Sequence, residues 1–167
     1  MKSSNATIFV AVIAIQLLVS AYFRLTPYLT ISLLPALIFC LPAKTGTIAN
    51  MVIAFAFGLL VDFAADGVIG LNACALLPVA FIKNGISDKI FGKELSVSGE
   101  IMSIGKYGIS RVILSLAIAQ GIFLLIYILI DGGINRPLAF NAIRYASSLI
   151  AGTILSIPVA MSLDSRR

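Results

Sequence analysis

A chain of 167 residues that is 60% hydrophobic and 11% charged, with a mean hydropathy of +1.08, cannot cover a water-soluble globule; ordinary soluble domains carry about 25% charged residues. Its net charge of +5, from 12 Lys and Arg against 7 Asp and Glu, reads as membrane topology rather than nucleic-acid binding, because basic residues collect on the cytoplasmic side of membrane proteins. The absence of His removes the commonest metal ligand and general base. Cys40 and Cys74 lie in apolar runs and read as small hydrophobes, not a disulfide.

Charged residues divide the chain into uncharged runs at 3–23, 25–43, 45–61, 67–82, 112–130 and 145–163. A membrane-spanning helix needs roughly 17 to 25 mainly apolar residues, so the runs predict spans near 5–23, 27–42, 46–64, 68–83, 109–130 and 143–163. Turn residues punctuate the joints, as in Thr26-Pro27, Pro42-Ala43-Lys44-Thr45-Gly46, Asp131-Gly132-Gly133 and Arg136-Pro137. The expected fold is an all-α polytopic membrane protein: six transmembrane helices in one compact bundle, a single membrane domain over 1–167, with the N- and C-termini cytoplasmic.

Charge counting gives that orientation. With the N-terminus inside, nine basic residues fall on the inner side (Lys2, Lys44, Lys83, Lys89, Lys93, Lys106, Arg111, Arg166 and Arg167) and three outside (Arg24, Arg136 and Arg144). A signal peptide ending at Val19-Ser20-Ala21 is the rival reading of the first run, but that run exceeds a usual apolar core of about 7–15 residues, and cleavage would break the charge pattern. The cytoplasmic loop, 84–108, is mixed-charge. Ile101 and Ile104 after Ser98 predict a short amphipathic helix leading into the fifth span. The loop with its flanking Lys83 reads either as a solvated connection with lysines near lipid headgroups or as a docking surface for a cytoplasmic partner.

The chemistry concentrates between the third and fourth spans. Asp62 falls about 15 residues, or roughly 22 Å, along the third span, inside a hydrocarbon core about 30 Å thick. An intramembrane carboxylate is costly and marks a functional position. Gly58, four residues earlier, shares its helix face and admits a close helix neighbour. Gly67 and Gly70 permit a tight turn, after which Asn72 opens the fourth span. Asp62 therefore reads as a polar pin facing the protein, with Arg144 as first-choice partner, Arg24 as another, and Asn72 as the local alternative. Asp66, before Gly67, reads as solvated. No catalytic, cofactor or metal site is expected.

The stretch GLLVDFAADGVIGLNACALLPVAF, residues 58–81, resembles the bacterial rod-shape-determining MreD family in its Gly58-Leu59, Asp62, Gly70-Leu71, Ala73 and Ala75-Leu76. Chain size, six runs, the loop after the fourth span and the short basic tail are similar in layout. The resemblance implies a non-catalytic, multi-pass subunit of the bacterial inner (cytoplasmic) membrane. It would scaffold the cell-elongation complex in peptidoglycan synthesis. The implied partners are an MreC-like protein and, through it, MreB, RodA and a penicillin-binding transpeptidase, together with membrane lipid and without nucleic acid.

Two other classes fit the sequence less well. A substrate-binding S subunit of an energy-coupling-factor vitamin transporter shares the six-helix layout. It would need an outward pocket, whereas this chain has no Trp and a short first outer loop at Arg24-Leu25-Thr26-Pro27. Its first span also lacks an Ala-x-x-x-Ala pair, which such subunits use for docking. An intramembrane enzyme would need a nucleophile with a base in reach, and neither Ser-His nor Cys-His can form without histidine. On the six-span reading, a reporter active only outside the membrane is silent after Arg167 and active when inserted within Gly132–Asn141. An active C-terminal fusion would contradict it.

Overall fold

The computed structural model describes residues 11–18, 29–42, 44–66, 68–92, 104–132 and 136–164. Among them the protein is all-helical, without strands. Helix α1 covers 11–18, α2 Leu34–Phe39, and α3 Thr47–Val61, which a single π turn, Asp62–Asp66, prolongs. Then come α4 (Leu71–Phe91), α5 (Ile104–Tyr107), α6 (Ile109–Ile130) and α7 (Leu138–Asp164). Among the described residues, three helical stretches are long and apolar enough to cross a membrane: Thr47–Ala64, Ile109–Ile130 and Leu138–Ser162. Helix α4 is also long, with 21 residues, but Lys83, Asn84, Asp88 and Lys89 make its second half polar.

Polarity runs inside out. Ile48, Val52, Phe55, Leu60 and Phe63 on α3, and Ile143, Ile150, Ile154 and Met161 on α7, are exposed, whereas Gln16, Asn50, Asp62, Lys83, Gln120, Arg144 and Ser148 are buried. Water would penalise so many exposed large apolar side chains; lipid does not.

Helices α3 and α4 form a hairpin; α4 packs on α6, and α6 on α7. At the centre sits α2, which touches α3, α4, α6 and α7. Of the stretch 27–42, expected as a continuous span, the described residues 29–42 are helical only over the six residues Leu34–Phe39, and 29–33 are non-helical. Every residue of α2 is buried, so this apolar stretch faces protein rather than lipid. Irregular backbone away from water survives only where protein satisfies its hydrogen-bonding groups. Here the Leu33 N–H donates to Gln16 Oε1 (2.7 Å) and the Thr30 N–H to Ser148 Oγ (2.8 Å).

Just past α2, the Lys83 ammonium reaches in from α4 and donates to the Leu41 carbonyl (2.9 Å) and, more weakly, the Pro42 carbonyl (3.5 Å). This corrects the sequence reading twice. The polar segment from 84 begins as helix, since α4 continues to Phe91, and Lys83 is buried rather than near headgroups. Residues 93–103, including Lys93 and Ile101, lie outside the described residues. On the far side α5 is a single turn. Gly108, at φ +84°, breaks it from α6, and Tyr107 meets Phe91 edge-on at 5.2 Å between ring centroids. Helix α7 starts at Leu138, ahead of the expected 143, because Pro137 opens it and its carbonyl accepts the Asn141 N–H.

Both cysteines are free, Cys40 buried beside the Lys83 contact and Cys74 exposed, so Cys40 reports on whether α2 stays enclosed. A hydrogen bond from a charged donor is worth about 1.5–3 kcal/mol. Its loss in Lys83→Met should therefore raise local opening by about tenfold or more. In a Cys74→Ser background, a membrane-permeant maleimide should label Cys40 slowly in the parent and at least about tenfold faster with Lys83→Met. Lys89→Ala, at an exposed position, should leave the rate unchanged.

Candidate functional site: the Asp62 turn

The α4 N-terminus starts with a deficit. Its N-cap is Gly70, which has no side chain to accept from the first turn, and the leading N–H groups of a helix have no partners of their own. Asp62, at the end of α3, supplies them. One carboxylate oxygen, Oδ2, accepts the N–H groups of Gly70 (3.0 Å) and Ala73 (3.2 Å). The other, Oδ1, accepts the Asn72 N–H and the Asn72 Nδ2, both at 2.9 Å. The helix is thus capped by a carboxylate from the preceding helix, and the partial positive charge of the α4 N-terminus offsets the acid without a cation. Asp62 is 0% exposed.

Two glycines make this geometry possible. Gly70 has φ +97°, a left-handed conformation costly for side-chain-bearing residues, which turns the chain back onto Asp62. Gly58 lies one turn before Asp62, and a Cβ there would overlap the backbone of Ala73 and come within 2.9 Å of the Asn72 carbonyl carbon. The α3 and α4 backbones are in direct contact at this level. The π turn at Asp62–Asp66 ends α3 where the chain must leave for the cap.

The structure therefore brings together Gly58, Asp62, Gly70 and Asn72; Gly67 and Arg24 lie outside the described residues. Arg144, the expected first partner of Asp62, is elsewhere. It is buried on α7, where its Nη1 donates to Asp131 Oδ2 (2.6 Å) and its Nε to Thr30 Oγ1 (3.1 Å), with Tyr127 beneath the guanidinium. Arg136 flanks the same carboxylate at 3.7 Å. Helix α7 packs against α6 rather than α3, so Asp131 at the end of α6 is the acid in reach.

Sequence reasoning also missed the clamp at the other end of the hairpin. Asn84 Nδ2 donates to the Thr45 carbonyl (3.4 Å) and Thr47 Oγ1 (3.3 Å); Asn50 Nδ2 donates to the Thr45 carbonyl (3.2 Å) and Asn84 Oδ1 (3.4 Å). The available signal was one amide, Asn50, inside an otherwise apolar run. Hairpin α3–α4 is consequently held at both ends.

Chemically, Asp62 is spent on the fold, since both its oxygens face donors of α4. No group of three His, Cys, Asp or Glu able to hold a metal ion occurs among the described residues. Away from the cap, the turn presents an open apolar groove of about 460 Å³ lined by Ala56, Leu59, Leu60, Phe63, Ala64 and Ile69. Comparison with known proteins finds no matching family model, curated protein or solved structure.

The cap can be measured by substitution. Asparagine offers one accepting oxygen for donors arranged around two, so Asp62→Asn should destabilise by about 2 kcal/mol. Asp62→Leu, which satisfies none, should cost about twice that. Gly58→Ala should also destabilise by more than about 1 kcal/mol. Because the two positions serve one contact, the double variant Gly58→Ala/Asp62→Asn should fall short of the sum. Unfolding in mixed micelles reads all four variants, and additive effects would separate Gly58 from the cap.

Proposed function

We propose that this chain is a non-catalytic, six-span subunit of the bacterial inner membrane, with both ends cytoplasmic, that resembles MreD. It supports cell-shape determination and peptidoglycan synthesis by holding partners of the elongation complex in one geometry. The observation that carries this reading is the use made of Asp62. The carboxylate that stands out in the sequence is consumed by four hydrogen bonds to α4, as suits a rigid platform rather than a reaction. On this reading the lipid-facing helices α3 and α7 carry the partner surfaces, and an MreC-like protein links the chain to MreB, RodA and a penicillin-binding transpeptidase.

A second reading, the S subunit of an energy-coupling-factor transporter, draws on a different observation. Gln16, Ser32, Arg144 and Ser148 form a buried polar interior around residues 29–33, a setting in which a small solute could be held. One purification from mild detergent separates the two. The scaffold reading expects MreC-like or RodA-like proteins to co-purify, and depletion to round a rod-shaped host. Recovery of a pair of ATPases, with a vitamin requirement and normal rods, would replace it with the transporter reading.

A further inference from the structure

Gln120 sits at the middle of α6, 1% exposed, and neither its Nε2 nor its Oε1 has a hydrogen-bond partner. An amide taken from water and left unpaired costs about 1–3 kcal/mol on the scale of protein substitutions. Its position is specific. The amide points at Gly152 of α7, where a Cβ would collide with Gln120 Nε2 and Cδ.

Gly152 belongs to a stripe of buried residues four apart on α7: Arg144, Ser148, Gly152 and Ser156. Four residues rise about 6 Å, so one serine hydroxyl lies a turn before Gly152 and the other a turn after. Their spare valences are complementary. Ser148 Oγ accepts the Thr30 N–H at 2.8 Å and keeps its own proton to give. Ser156 Oγ donates to the Gly152 carbonyl at 2.6 Å and keeps lone pairs to accept. Ser148 is 0% and Ser156 1% exposed, and the Gln120 amide lies against the Gly152 backbone, so these polar groups are enclosed by protein.

We propose that the α6–α7 seam is a water-binding site centred on Gln120. One water accepts from Ser148 O–H and donates to Gln120 Oε1; another accepts from Gln120 Nε2 and donates to Ser156 Oγ. Each has the two polar partners a buried water needs. Through Ser148 and Thr30 this hydration joins the Arg144–Asp131 pair, giving one hydrogen-bonded line from the middle of α6 to its end.

The chain has only two glutamines, Gln16 and Gln120, so ¹⁵N labelling of glutamine side chains yields two amide signals, assigned with Gln120→Leu. In full-length protein reconstituted in lipid bilayers, magnetisation from water should build up on the Gln120 amide several-fold faster than on the methyl groups of its buried neighbours Leu116 and Leu124. Ser148→Ala combined with Ser156→Ala should remove most of that gain. Build-up no faster than at those methyls in the parent protein would overturn the proposal. So would fast build-up that the two serine substitutions leave unchanged.

Discussion

A charge or a free backbone group in a hydrocarbon setting must be matched within the protein, and the α3–α4 hairpin is built around one such match. Asp62 and the α4 N-terminus are each costly alone: a desolvated carboxylate, and a helix start whose N-cap glycine has nothing to offer. Joined, they cancel. The join requires α3 to end at the right residue, which the π turn accomplishes, and the two backbones to touch, which Gly58 allows. It also requires a left-handed reversal, which Gly70 supplies. Helix α4 then carries α6, and α6 carries α7, so an error at this cap propagates through the whole stack.

The same rule, matching charge to backbone rather than charge to charge, operates at Lys83. Its ammonium meets the carbonyls that follow α2. Arg144 combines both forms, with an acid on one side and Thr30 on the other. These contacts surround residues 29–42, whose partly irregular backbone would be untenable against lipid. The polar side chains spread over α1, α4 and α7 are what permit α2 to sit in the interior.

The pattern of apolar runs was legible to the degree that lipid exposure controls it. Helices α3, α6 and α7, each with a face free of neighbours, carry the long uncharged runs. Hydropathy registers what a residue prefers to avoid, not what replaces water, so it read 27–42 as one continuous helix and missed that 29–33 are non-helical and that α2 is enclosed by protein. It placed Lys83 and Arg144 by their charge alone, at the ends of spans. Asp62, Gly58, Gly70 and Asn72 were legible because their interaction is local, within one hairpin. Pairing Arg144 with Asp131 and Thr30 depends on which helices are neighbours, and no local pattern encodes that. Gln120 escaped notice because one amide hardly lowers the mean of a strongly apolar helix.

The two helices of the α3–α4 hairpin stay together through the Asp62 cap. The most direct measurement is hydrogen exchange at the Gly70, Asn72 and Ala73 amides of the protein in lipid bilayers. N–H groups at an uncapped helix start exchange readily, because nothing in the helix holds them. If Asp62 caps α4, these three amides exchange as slowly as those in the middle of α4, and Asp62→Leu releases them while the middle of α4 stays protected. Fast exchange at all three in the parent protein would contradict the account.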